Sequence, residues 1–248
     1  MVDDGMLKLK GLPASPGIAI GKAFVYGGHE EFDVENFSED ADAEVSKFKK
    51  ALEETKSQVA KLRDKVEREI GKDEAAIFEA HLMILDDPTF TDKVVKYIKN
   101  NRLSAEKAVE KASEELIEMF EAMESEYFRS RADDIKDLRN RIINNLRGRK
   151  QSLSLDLKEP SIVFAKELLP SDTARMDKKK VLAFVTEVGG ITSHAAIVAR
   201  ALRVPAVVSV SGLMKNVRDG VTAIVDGYKG LVIIDPVEEV LREYSQRK

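Results

Sequence analysis

The stretch that decides the fold reads Val181-Leu-Ala-Phe-Val-Thr-Glu-Val-Gly-Gly-Ile-Thr-Ser-His194-Ala-Ala-Ile-Val-Ala-Arg200, an apolar run that leads through two glycines to a histidine. We predict a strand over Val181–Val188, a tight turn at the glycines and a short helix over Ala195–Leu202. Threonine or serine directly before the helix is typical of an N-cap, so His194 falls in the first helical turn. Free backbone N–H groups and the positive end of the helix dipole favour an anion there.

The position of His194 suits a phosphoryl group. Neutral imidazole, with a free pKa of about 6.5, is a nucleophile toward phosphorus and a good leaving group. The simpler alternative is a partly buried structural histidine at a helix start, and Gly-Gly alone does not decide between the two. The full pattern Gly-Gly-x-Thr-Ser-His-Ala-Ala-x-x-Ala-Arg, followed by Val204-Pro205-Ala206, matches a whole strand–turn–helix–strand unit and favours the chemical role.

Glycine and proline are distributed unevenly along the chain. Only Gly71 and Gly148 of the 14 glycines, and Pro88 of the 7 prolines, lie within residues 30–150. A segment so poor in helix breakers and rich in Glu, Lys, Ala and Leu predicts helices, whereas the flanks carry β-branched runs punctuated by Gly and Pro. We interpret residues 30–150 as a helical insertion between two pieces of one α/β unit.

Periodicity divides these regions into elements. Helices are predicted over residues 38–70, 73–85, 91–99 and 105–123, and on to 146, and their short connections indicate an antiparallel bundle. The first helix has an apolar stripe of Val45, Phe48, Leu52, Val59, Leu62 and Val66. Strands are predicted over 18–26, 161–165, 181–188, 206–210, 221–225 and 231–234. Residues 13–17 are predicted as a turn and the tail 237–247 as the start of a helix.

The composition excludes several classes of function. The absence of cysteine excludes a disulfide scaffold, a thiol nucleophile and a thiolate metal site. The histidines His29, His81 and His194 are far apart, so we predict that this chain binds no metal. A formal net charge of −4 argues against a nucleic-acid partner, and no apolar run of about 18 residues is present for membrane insertion. We predict a cytoplasmic protein.

The predicted helix at 73–85 has two apolar faces. On a wheel of about 100° per residue, one face is a stripe typical of a core. It consists of Ile77, Phe78, His81, Leu82 and Leu85. The other side, beside Glu79, consists of Ala76, Ala80, Met83 and Ile84. A helix of this kind is either central to a bundle or binds a partner, and periodicity alone favours the central position.

The segment around His194 resembles the phosphohistidine domain shared by enzyme I of the bacterial sugar phosphotransferase system, phosphoenolpyruvate synthase and pyruvate phosphate dikinase. Three further segments are similar to enzyme I alone. They are Gly11-Leu-Pro-Ala-Ser-Pro-Gly-Ile-Ala-Ile-Gly21, Glu74-Ala-Ala-Ile-Phe-Glu-Ala-His-Leu-Met83 and Glu126-Tyr-Phe-Arg-Ser-Arg-Ala-Asp-Asp134. The resemblance extends from Leu9 to Asp235 and points to the N-terminal domain of enzyme I.

This resemblance implies an α+β/α fold class. A swivelling phosphohistidine α/β domain is expected at residues 1–29 plus 150–236, interrupted by an inserted antiparallel α-helical bundle at 30–149. Residues 237–248 are expected to begin a linker helix. The helical bundle is the part that binds the carrier protein HPr in enzyme I.

The resemblance also implies roles for single residues. Nε2 of His194 is expected to carry the phosphoryl group, and the hydroxyl of Thr173 to hydrogen-bond and orient the ring. The supporting turn is expected to comprise Gly189, Gly190, Thr192 and Ser193. Two positions depart from the family. Leu169 stands where enzyme I usually has threonine, and Ile191 stands at a position often occupied by arginine, which leaves the anion site more dependent on backbone N–H groups.

For HPr docking, the resemblance implies a set of positions on the helices. They are Ala76, Glu79, Met83, Ile84, Phe90, Phe120, Phe128 and Arg131. The net charge of −7 over residues 30–150 suits a partner that is basic around its own histidine. Pro88 and Thr89 replace acidic residues common in the family, so weaker electrostatic docking is expected. His81 is predicted to be structural, and His29 is given no specific role.

Enzyme I continues beyond this length into a phosphoenolpyruvate-binding barrel that dimerises and uses Mg²⁺. We therefore expect a chain that passes phosphoryl groups from phosphoenolpyruvate, bound by that missing half, to HPr in the first step of sugar uptake. Alone it is expected to be monomeric and to exchange phosphate with HPr without using phosphoenolpyruvate; the full-length enzyme is expected to be a homodimer. The alternatives are the swivelling domain of a phosphoenolpyruvate synthase or dikinase and a non-catalytic HPr-binding regulator.

Overall fold

A computed structural model describes residues 2–3, 6–27, 36–149, 155 and 157–248. The chain forms two compact units, one of residues 1–30 with 154–248 and one of residues 31–153. We call them the sheet unit and the helical unit. The division lies within a few residues of the limits predicted from the sequence, and it leaves the sheet unit discontinuous along the chain.

The sheet unit contains one mixed β-sheet. Its strands are β1 (Val2–Asp3), β2 (Met6–Lys10), β3 (Leu12–Ser15), β4 (Ile18–Tyr26), β5 (Ser161–Ala165), β6 (Val181–Thr186), β7 (Ala206–Val208), β8 (Thr222–Asp226) and β9 (Leu231–Ile234). They lie in the order β1-β2-β9-β8-β4-β5-β6-β7-β3. The pairs β4–β5, β5–β6 and β6–β7 are parallel, and the others are antiparallel. The carboxyl ends of the parallel strands therefore share one edge of the sheet.

The helices divide between the two units. In chain order they are α1 (Ala41–Glu69), α2 (Lys72–Asp86), α3 (Pro88–Asn101), α4 (Ala105–Glu121), α5 (Glu126–Leu146), α6 (Pro170–Arg175), α7 (His194–Leu202), α8 (Leu213–Asn216) and α9 (Glu238–Arg247). Helices α1 to α5 make up the helical unit, and α6 to α9 belong to the sheet unit. No helix in the described part of the chain combines the length and apolar character needed to cross a bilayer.

The parallel strands have apolar side chains buried on both faces of the sheet. Val163 and Phe184 join one cluster with the apolar side of α7, whereas Phe164 and Val185 join a second cluster with α8. Strand β5 is buried along its whole length, which explains its continuous apolar sequence. The helix that carries His194 is thus fixed to the sheet by its own buried alanine and valine side chains.

The sequence prediction missed three N-terminal strands, β1, β2 and β3. The turn predicted over residues 13–17 overlaps β3, which pairs with β7 through Leu12 and Val208, while β2 pairs with both β1 and β9. Strand β3 lies at an edge, where Pro13 is tolerated because no second neighbour needs its N–H. Two predicted strands also end early. Strand β6 stops at Thr186, and β7 stops at Val208 because Ser209 takes a left-handed φ of 55°.

The helical unit is built on apolar stripes. All six residues of the stripe predicted for α1 are buried, so that prediction is confirmed. The breaks lie close to where they were expected. Gly71 separates α1 from α2 with a φ of 155°, Asp87 accepts a hydrogen bond from Thr89 N–H, and Ser104 accepts one from Lys107 N–H. The ion pair between Lys56 and Asp86, at 2.7 Å, fits an antiparallel α1–α2 hairpin.

The tail predicted to begin a linker helix is α9. Tyr244 is buried on α9 and packs in a cluster with Met6, Ile224 and Ile233 of the sheet. Its hydroxyl lies 3.4 Å from the buried carboxylate of Asp226. Helix α9 therefore packs against the sheet of its own unit.

Candidate functional site

His194 lies at the first position of α7. The N-cap is Ser193, one of the two predicted candidates, and its backbone is extended with φ −60° and ψ 157°. His194 is partly exposed as a residue. Because α7 follows the carboxyl end of β6, the histidine lies at the edge of the sheet where the parallel strands end.

The loop before His194 depends on one glycine more than on the other. Gly189 has a φ of 110°, and a Cβ there would lie 3.2 Å from Cβ of Ser193. Gly190 has no left-handed φ, and its nearest neighbour would be Oγ1 of Thr192 at 4.0 Å. Two side chains outside the loop also hold it in place. Ser209 Oγ donates to the Gly189 carbonyl at 2.5 Å. Arg200 Nη1, on α7, donates to the Ile191 carbonyl at 2.9 Å.

Thr173 is brought to the ring of His194 from a separate element. Its Oγ1 lies 2.8 Å from Nε2 of His194, and the threonine itself is only 2% exposed. The same hydroxyl lies 3.1 Å from the carbonyl of Pro170, within α6. The pair that the resemblance implied is thus in direct contact, and its part in phosphoryl transfer stays a prediction.

The two departures from the family have different surroundings. Leu169 is the N-cap of α6 and is buried, and its backbone N–H donates to Oδ2 of Asp172 at 2.9 Å. The carboxylate at the third helical position thus satisfies the N–H of the N-cap residue, which is one half of a capping box. Ile191 is 51% exposed in the loop and offers an apolar surface beside Thr192, which is also exposed.

Sequence reasoning missed a buried polar group around Asp172. The phenol of Tyr26, at the end of β4, donates to Oδ1 of Asp172 at 2.7 Å. Arg175 Nη2 lies 3.3 Å from the same carboxylate oxygen and 3.1 Å from the phenol oxygen. Tyr26 and Asp172 are 146 positions apart, so no local pattern in the sequence indicates this contact.

The predicted docking face of α2 is exposed. Ala76, Glu79 and Met83 all face solvent, and Met83 is 71% exposed. His81, on the opposite side, is fully buried, as the helical wheel predicted. One face of α2 therefore packs in the bundle, while the other presents a large apolar side chain beside an acidic one.

The remaining docking positions differ in exposure. Ile84 and Phe120 pack against a cluster of Ile117, Ala132 and Ile135, which joins α2, α4 and α5. On α5, Phe128 is 46% exposed. Nη1 of Arg131 donates to Oδ2 of Asp134 at 2.8 Å, which holds its guanidinium at one end.

Phe90 is a correction to the predicted docking surface. It is 4% exposed and shares the buried stripe of α3 with Val94 and Ile98. The spacing of four residues between these positions places all three side chains on the face that packs in the bundle. Phe90 is a core residue and is not available to a partner.

A buried charged group lies behind the docking positions of α5. Nε2 of His81 is 3.3 Å from Oδ1 of Asp134, and Nδ1 is 4.0 Å from Oδ2 of Asp137. Burial by itself raises the pKa of the Asp134 carboxyl, but the contacts with His81 and Arg131 outweigh it and hold that pKa below its ordinary value. Asp134 is therefore ionised, and its carboxylate contacts both the buried ring of His81 and the guanidinium of Arg131.

Two further predictions concern histidine and metal binding, and both stay predictions. His29 lies outside the described residues. Within the described residues, His, Asp and Glu side chains form no group of three that could hold a metal ion.

Comparison with known families gives matches over both units. The model of the PEP-utilising enzyme, N-terminal family matches residues 10–131. The model of the PEP-utilising enzyme, mobile domain family matches residues 157–230, which include both Thr173 and His194.

Curated relatives share a single description. The phosphoenolpyruvate-protein phosphotransferase of Priestia megaterium is 40% identical over 241 residues, which is 97% of this chain and 42% of that protein. The enzyme of the same description from Bacillus subtilis strain 168 is 41% identical over 246 residues, 98% of this chain and again 42% of the relative. The chain thus spans less than half the length of these relatives.

Solved structures match over nearly the whole chain. A solution NMR structure of Enzyme I is 45% identical, with a TM-score of 0.79, and the match covers 97% of this chain and 98% of that one. The N-terminal domain of Enzyme 1-Nitrogen is 26% identical with a TM-score of 0.57, covering 96% and 98% of the two chains. From the shared sequence, fold and length of match, we conclude that the chain belongs to the enzyme I family of phosphoenolpyruvate-protein phosphotransferases and matches its N-terminal domain.

Proposed function

We propose that this chain carries a phosphoryl group on Nε2 of His194 and exchanges it with a histidine of HPr. The observation that carries the proposal is the 2.8 Å contact between Nε2 and the Thr173 hydroxyl at the start of α7. A buried hydroxyl fixes the orientation of the ring on a partly exposed residue, and a fixed orientation is what a nucleophile needs to meet phosphorus in line.

The surroundings of His194 support a transferable phosphoryl group. The ring lies at a helix start, where N–H groups without intrahelical partners and the helix dipole stabilise negative charge. Val188 and Ile191, in the loop before the ring, and Ile197 on α7 are all exposed apolar residues. Such a rim excludes water once a partner covers it, which favours transfer over hydrolysis.

For HPr recognition we propose the exposed side of α2 together with positions on α4 and α5. The surface comprises Ala76, Glu79, Met83, Ile84, Phe120, Phe128 and Arg131. It combines an exposed methionine with partly exposed aromatic side chains, which are typical of the centre of a binding surface. The net charge of −7 over residues 30–150 complements a basic partner.

We further propose that phosphoenolpyruvate and Mg²⁺ bind to a part of the enzyme outside this chain. The curated relatives are more than twice as long as the matched region, which leaves room for a separate substrate domain. In this proposal the chain supplies the nucleophile and the docking surface, and phosphoenolpyruvate alone does not phosphorylate it.

The test uses purified HPr carrying a labelled phosphohistidine. Mixed with this chain, it is expected to give a labelled chain whose phosphate is released by acid and retained in base. The His194→Ala variant is expected to take up no label while still binding HPr. Uptake of label by His194→Ala would assign the phosphoryl group to another residue. Failure of the wild-type chain to take up label, with HPr bound, would favour the non-catalytic regulator.

A further inference from the structure

We propose that Tyr26, Asp172 and Arg175 are positioning residues for phosphoryl transfer, acting through α6 and Thr173 on the ring of His194. The inference rests on the proposed function of His194 and deepens it. It gives Tyr26, at the end of β4, a role in the chemistry of His194, at the start of α7.

Helix α6 cannot hold Thr173 by itself. It has six residues and starts with Pro170, so it makes fewer than two turns and few internal hydrogen bonds. Isolated helices of this length are unstable in water, and contacts with the rest of the protein must fix their orientation. The position of the Thr173 hydroxyl therefore depends on what anchors α6.

The main polar anchor is the carboxylate of Asp172, directly before Thr173. Asp172 is fully buried. Its Oδ2 accepts the Leu169 N–H at 2.9 Å, which caps the start of α6. Its Oδ1 accepts the Tyr26 phenol at 2.7 Å and lies 3.3 Å from Arg175 Nη2. Such a buried carboxylate is stabilised only while its donors stay in place, so it locks α6 into one orientation.

Tyr26 connects this anchor to the sheet. It is the last residue of β4 and is in register with Ala165 of the parallel strand β5, so its backbone is held by the central sheet. Its phenol oxygen also accepts from Arg175 Nη2 at 3.1 Å, so the phenol bridges the two charged side chains. A chain of hydrogen bonds thus runs from the sheet through Tyr26 and Asp172 to the helix that carries Thr173, and from Thr173 to Nε2 of His194.

The first test is a double-mutant cycle with Tyr26→Phe and Thr173→Ala, measured as the rate of phosphoryl transfer from labelled phospho-HPr. Tyr26→Phe removes one hydroxyl and is expected to slow transfer about 3- to 10-fold, with HPr affinity unchanged. If Tyr26 acts through Thr173, the same change in the Thr173→Ala background has less than about a 2-fold effect. Equal effects in both backgrounds would overturn the proposal. The matched control is Tyr228→Phe, because Tyr228 is 67% exposed in the same unit.

The second test does not depend on transfer. Nitrogen-15 NMR of the imidazole rings reports which ring nitrogen of His194 carries the proton, and the His194 signals are assigned by their loss in His194→Ala. Tyr26→Phe and Asp172→Asn are expected to move these signals toward their positions in Thr173→Ala, whereas Tyr228→Phe leaves them in place. Wild-type ring signals in a folded Tyr26→Phe variant would overturn the proposal.

The two tests separate this inference from the proposed function. If the wild-type chain takes up no phosphate, the proposed function fails while the ring spectra still decide the positioning. If the wild type is phosphorylated and Tyr26→Phe matches it in rate and spectrum, the positioning inference alone fails. Should Asp172→Asn not fold, Tyr26→Phe carries the test, since it removes only a hydroxyl; thermal unfolding checks its fold.

Discussion

The hydroxyl of Thr173 has one proton and two acceptors within reach. These are the Pro170 carbonyl at 3.1 Å and Nε2 of His194 at 2.8 Å. If the proton points to Nε2, the neutral ring carries its own proton on Nδ1; if it points to Pro170, Nε2–H donates to the hydroxyl. Only the first arrangement leaves the Nε2 lone pair available to phosphorus once the hydroxyl turns away. The Pro170 carbonyl then gives the hydroxyl proton a second acceptor.

A pair of alanine substitutions tests the role of the glycines in the loop. Gly189→Ala is expected to destabilise the chain by about 1–3 kcal/mol, because alanine does not readily adopt a φ of 110° and its Cβ would crowd Ser193. Gly190→Ala is the matched comparison and is expected to change stability by less than about 0.5 kcal/mol. Thermal unfolding of both variants measures the difference, and equal midpoints would contradict it.

At the scale of elements, helices α2 and α5 are connected by the buried carboxylate of Asp134. Asp134 is 2% exposed and contacts both His81 on α2 and Arg131 on its own helix. Burial opposes its ionisation, but the two contacts hold its pKa below the ordinary value. A carboxyl with a lowered folded-state pKa stabilises the fold above its ordinary pKa, and this contribution is lost as the pH falls through the lowered value.

Asp134→Asn is expected to lower the stability of the helical unit at pH 7 by about 1.5–3 kcal/mol, because the charge-assisted contacts are lost. The difference from wild type is expected to shrink as the pH falls below about 4, because the carboxyl of the unfolded wild-type chain takes up a proton there while the folded carboxyl is still ionised. Thermal melts at pH 7 and pH 3 measure both values. A difference that stays constant with pH would contradict the prediction. Asp92→Asn, at an exposed site, is the control and is expected to show little change.

Met83→Asp tests the docking face of α2. Because Met83 is 71% exposed, the substitution is expected to leave thermal stability nearly unchanged. HPr affinity is expected to fall at least 10-fold, since a charge replaces an apolar contact at the centre of the surface. Calorimetric titration with HPr measures the change. Ser46→Asp adds the same charge at an exposed site near the start of α1 and is the control. Unchanged affinity in Met83→Asp would place the docking face elsewhere.

At the scale of the whole molecule, charge is divided unevenly along the chain. Residues 30–150 carry a net charge of −7 and the remainder carries +3. A basic partner is therefore attracted toward the helical unit and not toward the sheet unit, and this attraction mainly raises the rate of association.

Salt is expected to weaken HPr binding several-fold between 0.1 M and 1 M, because the Debye length falls from about 10 Å to about 3 Å. The change is expected mainly in the association rate, with little change in the dissociation rate. Stopped-flow measurements separate the two rates. Glu79→Gln is expected to reduce the salt dependence, and a salt-independent association rate would show that charge does not steer the encounter.

The sequence by itself determined the division of this protein into two units and the place of His194 at the start of a helix. The near absence of glycine and proline from residues 30–150 placed the helical insertion, and apolar periodicity gave the stripe of α1 and the buried side of α2. These patterns are local, because helix formation and amphipathic burial depend on residues a few positions apart. The Gly-Gly-x-Thr-Ser-His pattern placed His194 at a helix start for the same reason.

Tertiary structure alone decided the N-terminal strand pairings, the polar contacts that hold α6 behind Thr173, and the limits of the docking surface. Strands β2 and β3 depend on pairing with β9 and β7, which are distant in the chain, so no local pattern indicates these pairings. Phe90 belongs to the core because its helix turns that face inward, which its position in the sequence did not show. The contact of Tyr26 with Asp172 exists because the sheet brings the end of β4 to α6. The geometry around His194 depends on the packing of segments that are distant in the chain. No pattern of adjacent residues in the sequence specifies that packing.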